Sequence, residues 1–93
     1  MTSVKLRSQI RISIDILRAV EEEGPAKPTR ILQKANLSHD RLVKYLQELV
    51  TKNLIAESWS NGCRYYTLTK SGAVFLEEIE RSEASFTGLG LTF

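Results

Sequence analysis

Apolar residues in this chain change their spacing along the sequence, and the changes mark out its elements. In "RSQIRISIDILRAVEEE" the residues Ile10, Ile14, Leu17 and Val20 recur at helical spacing, and Ile12 and Ile16 widen the stripe. This predicts a first helix that ends near Gly24. The "GPAKP" that follows holds both prolines of the protein and breaks the pattern. Pro28 and Thr29 then open a short second helix that runs to about Ala35. "ANLS" predicts a tight connection, because Asn36 suits the left-handed conformation that ends a helix and Ser38 suits the cap of the next. A third helix is predicted from about His39 to Lys52. Leu42, Leu46, Leu49 and Val50, joined by Val43, form its expected buried stripe.

Past Lys52 the helical period gives way to "LIAESW" and "CRYYTL", short runs rich in β-branched and aromatic residues and separated by "SNG". The Asn61-Gly62 pair predicts a β-hairpin over about 54–68, since a type I′ turn needs positive φ at both central residues. Thr69 caps a fourth helix, "KSGAVFLEEIERSEA", in which Phe75, Leu76 and Ile79 face inward and the glutamates face water. The final "SFTGLGLTF" has no period, and predicts a tail that is flexible or docks through Phe86, Leu89, Leu91 or Phe93. The division is therefore a domain over 1–85 and a tail over 86–93. The fold class is α+β, mostly α: three helices, a two-stranded hairpin and a C-terminal fourth helix. That order is the winged helix-turn-helix, whose third helix enters a DNA groove and whose hairpin is the wing.

Composition agrees with one small domain, since 93 residues are 42% hydrophobic and 26% charged. No apolar run approaches the ~20 residues of a membrane span, and "MTSVKLRSQIR" lacks the apolar stretch of a secretory signal, so a cytoplasmic protein is expected. The single cysteine, Cys63, forms no internal disulfide, and with the single histidine it falls short of a structural zinc site. No metal or cofactor is expected. Nor are catalytic residues, because the chain has one histidine, no glycine-rich phosphate loop and no carboxylate pair outside water-facing runs.

Charge changes the picture more than composition does. The net charge is only +2, but from Gly24 to Lys70 eight basic residues stand against three acidic ones, Asp40, Glu48 and Glu57. The acids gather at the flanks, in Glu21 to Glu23 and in Glu77, Glu78, Glu80 and Glu83. Such a bias is either solvated surface charge or a basic face for a polyanion.

The stretches "PTRILQKANLS", "RLVKYLQELVTKNLI" and "YYTLTKSGAVFLEEI", taken together and in order, carry a likeness over about four-fifths of the chain. Through them it resembles the archaeal winged-helix family of transcriptional regulators and ten-kilodalton crenarchaeal chromatin proteins. The resemblance implies a double-stranded DNA-binding protein that forms homodimers and works on the nucleoid. It also implies pairing through a long C-terminal coiled coil. Here the chain departs from the pattern, because "TGLGLTF" follows the fourth helix too closely to leave room for one.

At about 100° per residue, burying Leu42, Leu46 and Leu49 puts His39, Arg41, Lys44, Tyr45 and Glu48 on or beside the outward side of the third helix. Arg41 suits guanine O6 and N7, His39 a base edge or phosphate, and Lys44 the backbone. Two roles are open to Tyr45: a phosphate contact through its hydroxyl, or packing against the second helix. Ser38 is a cap that also leaves backbone N–H groups for a phosphate. Thr29 and Arg30 begin the second helix, where the dipole and a basic side chain favour a phosphate, although an N-cap with solvated charge would look the same. Asn61, Gly62 and Arg64 form the wing, and Arg64 suits a minor groove or a phosphate. Of Trp59, Tyr65 and Tyr66, at least one tyrosine belongs to the core.

A regulator is expected first, with an architectural DNA-binding protein of low sequence preference as the alternative. A protein-binding winged helix is a third reading. It would show apolar anchors on the outward face of the third helix, where only Tyr45 qualifies.

Overall fold

A computed structural model describes residues 9–88, with side chains described as far as residue 82. Helix α1 (Gln9–Glu23) forms the centre of the core. Its Ile12, Ile14, Ile16, Leu17, Ala19 and Val20 are all buried, each large aliphatic contributing about 1.5–3 kcal/mol. So wide a stripe is covered because the helix packs on several sides, against α2 (Pro28–Ala35), strand β2 (Cys63–Leu68) and α4 (Lys70–Gly88). Ile10 is the exception. It lies in the first turn and is 44% exposed.

The loop after α1 does structural work of its own. Ala26 exchanges two backbone hydrogen bonds of 2.8 Å with Tyr66, so β2 is paired there on both edges. Helix α2 starts with Pro28 at its first position and Lys27 as a cap that makes no side-chain bond, so Thr29 is inside the helix and caps nothing. The helix ends as expected, at Asn36 with φ 55° in the left-handed region. Helix α3 (His39–Thr51) is capped by Ser38, whose Oγ accepts from the Arg41 N–H at 3.4 Å.

The stripe on α3 is narrower than the sequence suggests. Leu42, Leu46 and Leu49 are buried, but Val43 and Val50 are each 37% exposed. At about 100° per residue each valine stands past its neighbouring leucine in the same rotational sense, which carries both off the covered arc.

Strands β1 (Ile55–Ser60) and β2 pair antiparallel around Asn61 (φ 52°) and Gly62 (φ 75°), both in the left-handed region that a type I′ turn demands. The register sets Trp59 opposite Arg64 and Glu57 opposite Tyr66. Tyr66 is the tyrosine that enters the core, Tyr65 is half-buried and Trp59 stays 62% exposed.

Helix α4 is joined to the root of the hairpin. The Thr69 hydroxyl donates to the Asn53 carbonyl at 2.6 Å and accepts from the Gly72 N–H at 2.9 Å, while the Thr69 N–H donates to the Leu54 carbonyl. Gly72 is buried directly against that carbonyl, where a Cβ would collide with its oxygen. Leu76 is buried, and Phe75 and Ile79 pack half-buried beside it. The helix continues to Gly88, beyond Ala84, where the periodic pattern stops. The docking expected of Phe86, Leu89, Leu91 and Phe93 falls outside the described side chains. No helix among the described residues is long and apolar enough to cross a membrane. With four helices and a two-stranded antiparallel hairpin, the architecture is the mostly helical winged helix-turn-helix that the sequence predicts.

Candidate nucleic-acid interface

The start of α2, the outer side of α3 and the hairpin enclose an open cleft of about 590 Å³. Val43, Gln47 and Val50 form its α3 wall, and Glu57, Arg64 and Tyr66 form its hairpin wall. A shallower depression of about 340 Å³ lies on the other flank of α3, lined by Arg41, Lys44, Tyr45 and Glu48 with Gln9 of α1. Between the two flanks, rotation by about 100° per residue places Asp40, Lys44, Gln47 and Thr51 opposite the buried leucines. All four are exposed.

Most basic side chains of the middle segment already have partners inside the protein. Arg30 pairs with Glu23 at 3.3 Å, and Lys34 reaches Glu22 at 3.0 Å and Glu23 at 3.5 Å, so the acidic end of α1 is pinned to α2. The hydrogen bond from Arg30 holds the Glu23 carboxyl below its ordinary value, and the bond to Glu22 raises the Lys34 ammonium above its own. Arg64 Nε lies 2.9 Å from Glu57 Oε2, and its guanidinium stacks 4.8 Å from the Trp59 ring. The Tyr66 hydroxyl donates to the same Glu57 oxygen at 3.2 Å, and burial pushes the phenol up. Lys27 sits 5.9 Å from the Tyr65 ring, and Lys52 approaches Glu48 at 3.8 Å. Arg41 and Lys44, like Lys70 at the start of α4, have no ion pair among the described residues.

The site residues expected from sequence thus fall into groups. Lys44 is on the outward midline of α3, with Arg41 on the flank toward α1. His39 is exposed beside the cleft, its Nδ1 4.0 Å from Asp40 Oδ1. Tyr45 is half-buried and packs against the core, which leaves it no anchor on the outward face. Ser38 is the cap. Thr29 and Arg30 are exposed at the start of α2, but Arg30 is turned back to Glu23. Asn61 forms the turn, and Arg64 lies against Glu57 in the cleft.

Sequence reasoning missed the cleft-side residues Val43, Gln47 and Val50 and the partner role of Glu57. The valines were within reach, because a stripe measured from Leu42, Leu46 and Leu49 alone excludes them. So was Glu57. Once Asn61-Gly62 fixes the turn, Arg64 and Glu57 become diagonal neighbours across the strands, a spacing long side chains bridge. The Glu23–Arg30 pair had no such signal, since it depends on how α1 and α2 cross.

The model of the winged helix-turn-helix family matches residues 6–85. Among solved structures, Sso10a-2, a DNA-binding protein from Sulfolobus solfataricus, superposes with a TM-score of 0.73 at 24% identity over 90% of each chain. The YusO protein from Bacillus subtilis superposes at 0.78 with 19% identity, covering 86% of this chain and 59% of its own. The transcriptional regulator BldR from Sulfolobus solfataricus superposes at 0.67 with 18% identity, covering 82% and 56%. At these identities the superpositions speak for the fold alone. No curated protein sequence matches the chain. The family match spans most of the chain and both halves of the cleft, and its architecture is the one observed: the chain belongs to the winged helix-turn-helix family.

Proposed function

We propose that this protein is a double-stranded DNA-binding transcriptional regulator that acts as a homodimer. Helix α3 lies in the major groove, and the hairpin lies on the adjacent backbone or minor groove. The observation that carries this reading is the pair Arg41 and Lys44, two cations on the outer side of α3 with no acidic partner among the described residues. Arg30, Lys34, Lys52 and Arg64 are paired with acids inside the protein, whereas Arg41 and Lys44 add uncompensated positive charge to the element that winged helices present to DNA. Lys44 holds a phosphate, and Arg41, on the flank, reaches a phosphate or a guanine edge. The homodimer follows from reach, because one helix covers a few base pairs and useful specificity comes from two half-sites. That Sso10a-2 is a DNA-binding protein and BldR a transcriptional regulator supports the same reading.

Selection of genomic fragments by the full chain, followed by sequencing, tests this. A regulator enriches one palindromic site and binds it roughly 10³-fold or more tightly than random duplex. Broad coverage without a preferred site gives the architectural protein instead. No enrichment at moderate salt refutes the DNA reading and points to a protein partner, for which the exposed Val43 and Val50 would be the anchors.

A further inference from the structure

We infer that α3 reads A·T base pairs, with Val43 against the 5-methyl group of a thymine and the Gln47 amide on an adenine. The inference rests on the DNA reading above and names the bases that this surface selects. Val43 is in the N-terminal half of α3, the part of a recognition helix that reaches base edges. It is 37% exposed, with the polar or charged His39, Asp40, Lys44 and Gln47 around it and the equally exposed Val50 two turns further along the same wall.

An apolar side chain at such a position finds only one apolar group on the floor of the major groove, the thymine methyl. Gln47 is exposed one turn further along the same wall of the cleft. Its side chain makes no hydrogen bond among the described residues. The amide therefore offers a free acceptor beside free donors, the pattern that matches adenine N6 and N7. Thr51 does not compete for a base, because its hydroxyl donates back to the Gln47 carbonyl at 2.8 Å.

Four residues of helix span ~6 Å, against ~3.4 Å per base-pair step, so the two side chains meet neighbouring or next-neighbouring pairs. Lys44 stands past Gln47 on the outward midline and brings the positive charge that holds the backbone close. A protein partner fits this strip less well. Its apolar members are two valines with an exposed glutamine between them, whereas protein hot spots favour tryptophan, tyrosine and arginine.

The test uses the full chain, a duplex selected by it from a random library, and copies of that duplex in which thymines are replaced one at a time by uracil. Uracil removes only the methyl group. At one position the wild type should lose about fourfold in affinity, the worth of one buried methyl group. Val43→Ala should lose a similar factor on the thymine duplex and become indifferent to that uracil. Gln47→Ala should weaken binding to the selected duplex about tenfold and flatten the preference at the paired adenine. Affinity for a random duplex should fall much less than affinity for the selected duplex in both variants. Both positions are on the surface and alanine favours helix, so thermal melting should show both folded.

Indifference of the wild type to uracil at every thymine, or a full uracil penalty retained by Val43→Ala, overturns the inference while random-duplex binding leaves the DNA reading standing. A wild-type chain that binds neither the library nor random duplex overturns the DNA reading itself.

Discussion

Replacing Glu57 by glutamine asks whether the arginine of the wing is held back in the free protein. Arg64 Nε is 2.9 Å from Glu57 Oε2, with side-chain exposures of 46% and 37%. A pair this open to solvent is worth ~0.2–1 kcal/mol after screening. A phosphate that recruits Arg64 must displace that carboxylate and also approach its negative charge. Glutamine keeps the shape and an acceptor oxygen for the Tyr66 hydroxyl, which now donates to Glu57 at 3.2 Å, and removes only the charge.

Random-duplex binding should therefore tighten by up to about fivefold, the upper end of that range converted to affinity. The salt slope should steepen by up to ~0.9, one added phosphate contact. Fluorescence anisotropy between roughly 50 and 200 mM salt reads both quantities. Adding Arg64→Ala to the variant should remove the gain. Glu77→Gln makes the same change in net charge on α4, beside Arg81 and away from the cleft, and should give much less. Unchanged or weaker binding with an unchanged slope would refute the competition between Glu57 and phosphate.

Lys44→Ala should weaken binding to all duplexes alike and flatten the salt slope by ~0.9, while Arg30→Ala should do less in the same titration, because Glu23 already offsets its charge. Gly72→Ala should destabilise the fold by about 1–3 kcal/mol or more in thermal melts, since the new methyl meets the rigid Leu54 carbonyl; a stability within ~0.5 kcal/mol of wild type would mean that α4 shifts freely. Because Arg30 lowers the Glu23 pKa, Glu23 supports the folded state above its ordinary carboxylate range, and that support is lost as pH falls through the lowered value. Lys34 acts in the opposite sense, supporting the fold below its ordinary range and losing that support as pH rises through the raised value. Urea midpoints measured against pH should show the acid-side loss shrinking in Glu23→Gln. Sedimentation equilibrium at micromolar concentration should give twice the chain mass, and a monomer with and without DNA would remove the homodimer from the proposed function.

How legible these features were follows from the range of the interactions that set them. The Asn61-Gly62 turn, the Asn36 stop and the Ser38 and Thr69 caps are local, and each is found where its residue type predicts. The core stripes of α1 and α3 were legible in kind but not in width. α1 is covered on several sides and α3 on one, and apolar spacing alone does not carry that distinction. Ile12 and Ile16, which widen the α1 stripe beyond one face, are used inside the chain, and only Ile10 of its isoleucines remains exposed. The basic bias of the middle segment was visible as a sum. Which cations remained uncompensated was not, because Glu22 and Glu23 meet Arg30 and Lys34 only once α1 and α2 are docked.

The Thr69 junction makes α4 and the hairpin one mechanical piece. Two hydrogen bonds to the carbonyls of Asn53 and Leu54, and the close approach at Gly72, leave the first turn of α4 little freedom to pivot over the strands. At 1.5 Å per residue the helix is a lever ~28 Å long, so a tilt of ~10° at the fixed end sweeps its far end through ~5 Å. That lever is held a second time at its middle, where Leu76 is buried and Arg18 pairs with Glu80 at 2.9 Å, so the wing is braced through α4 against α1.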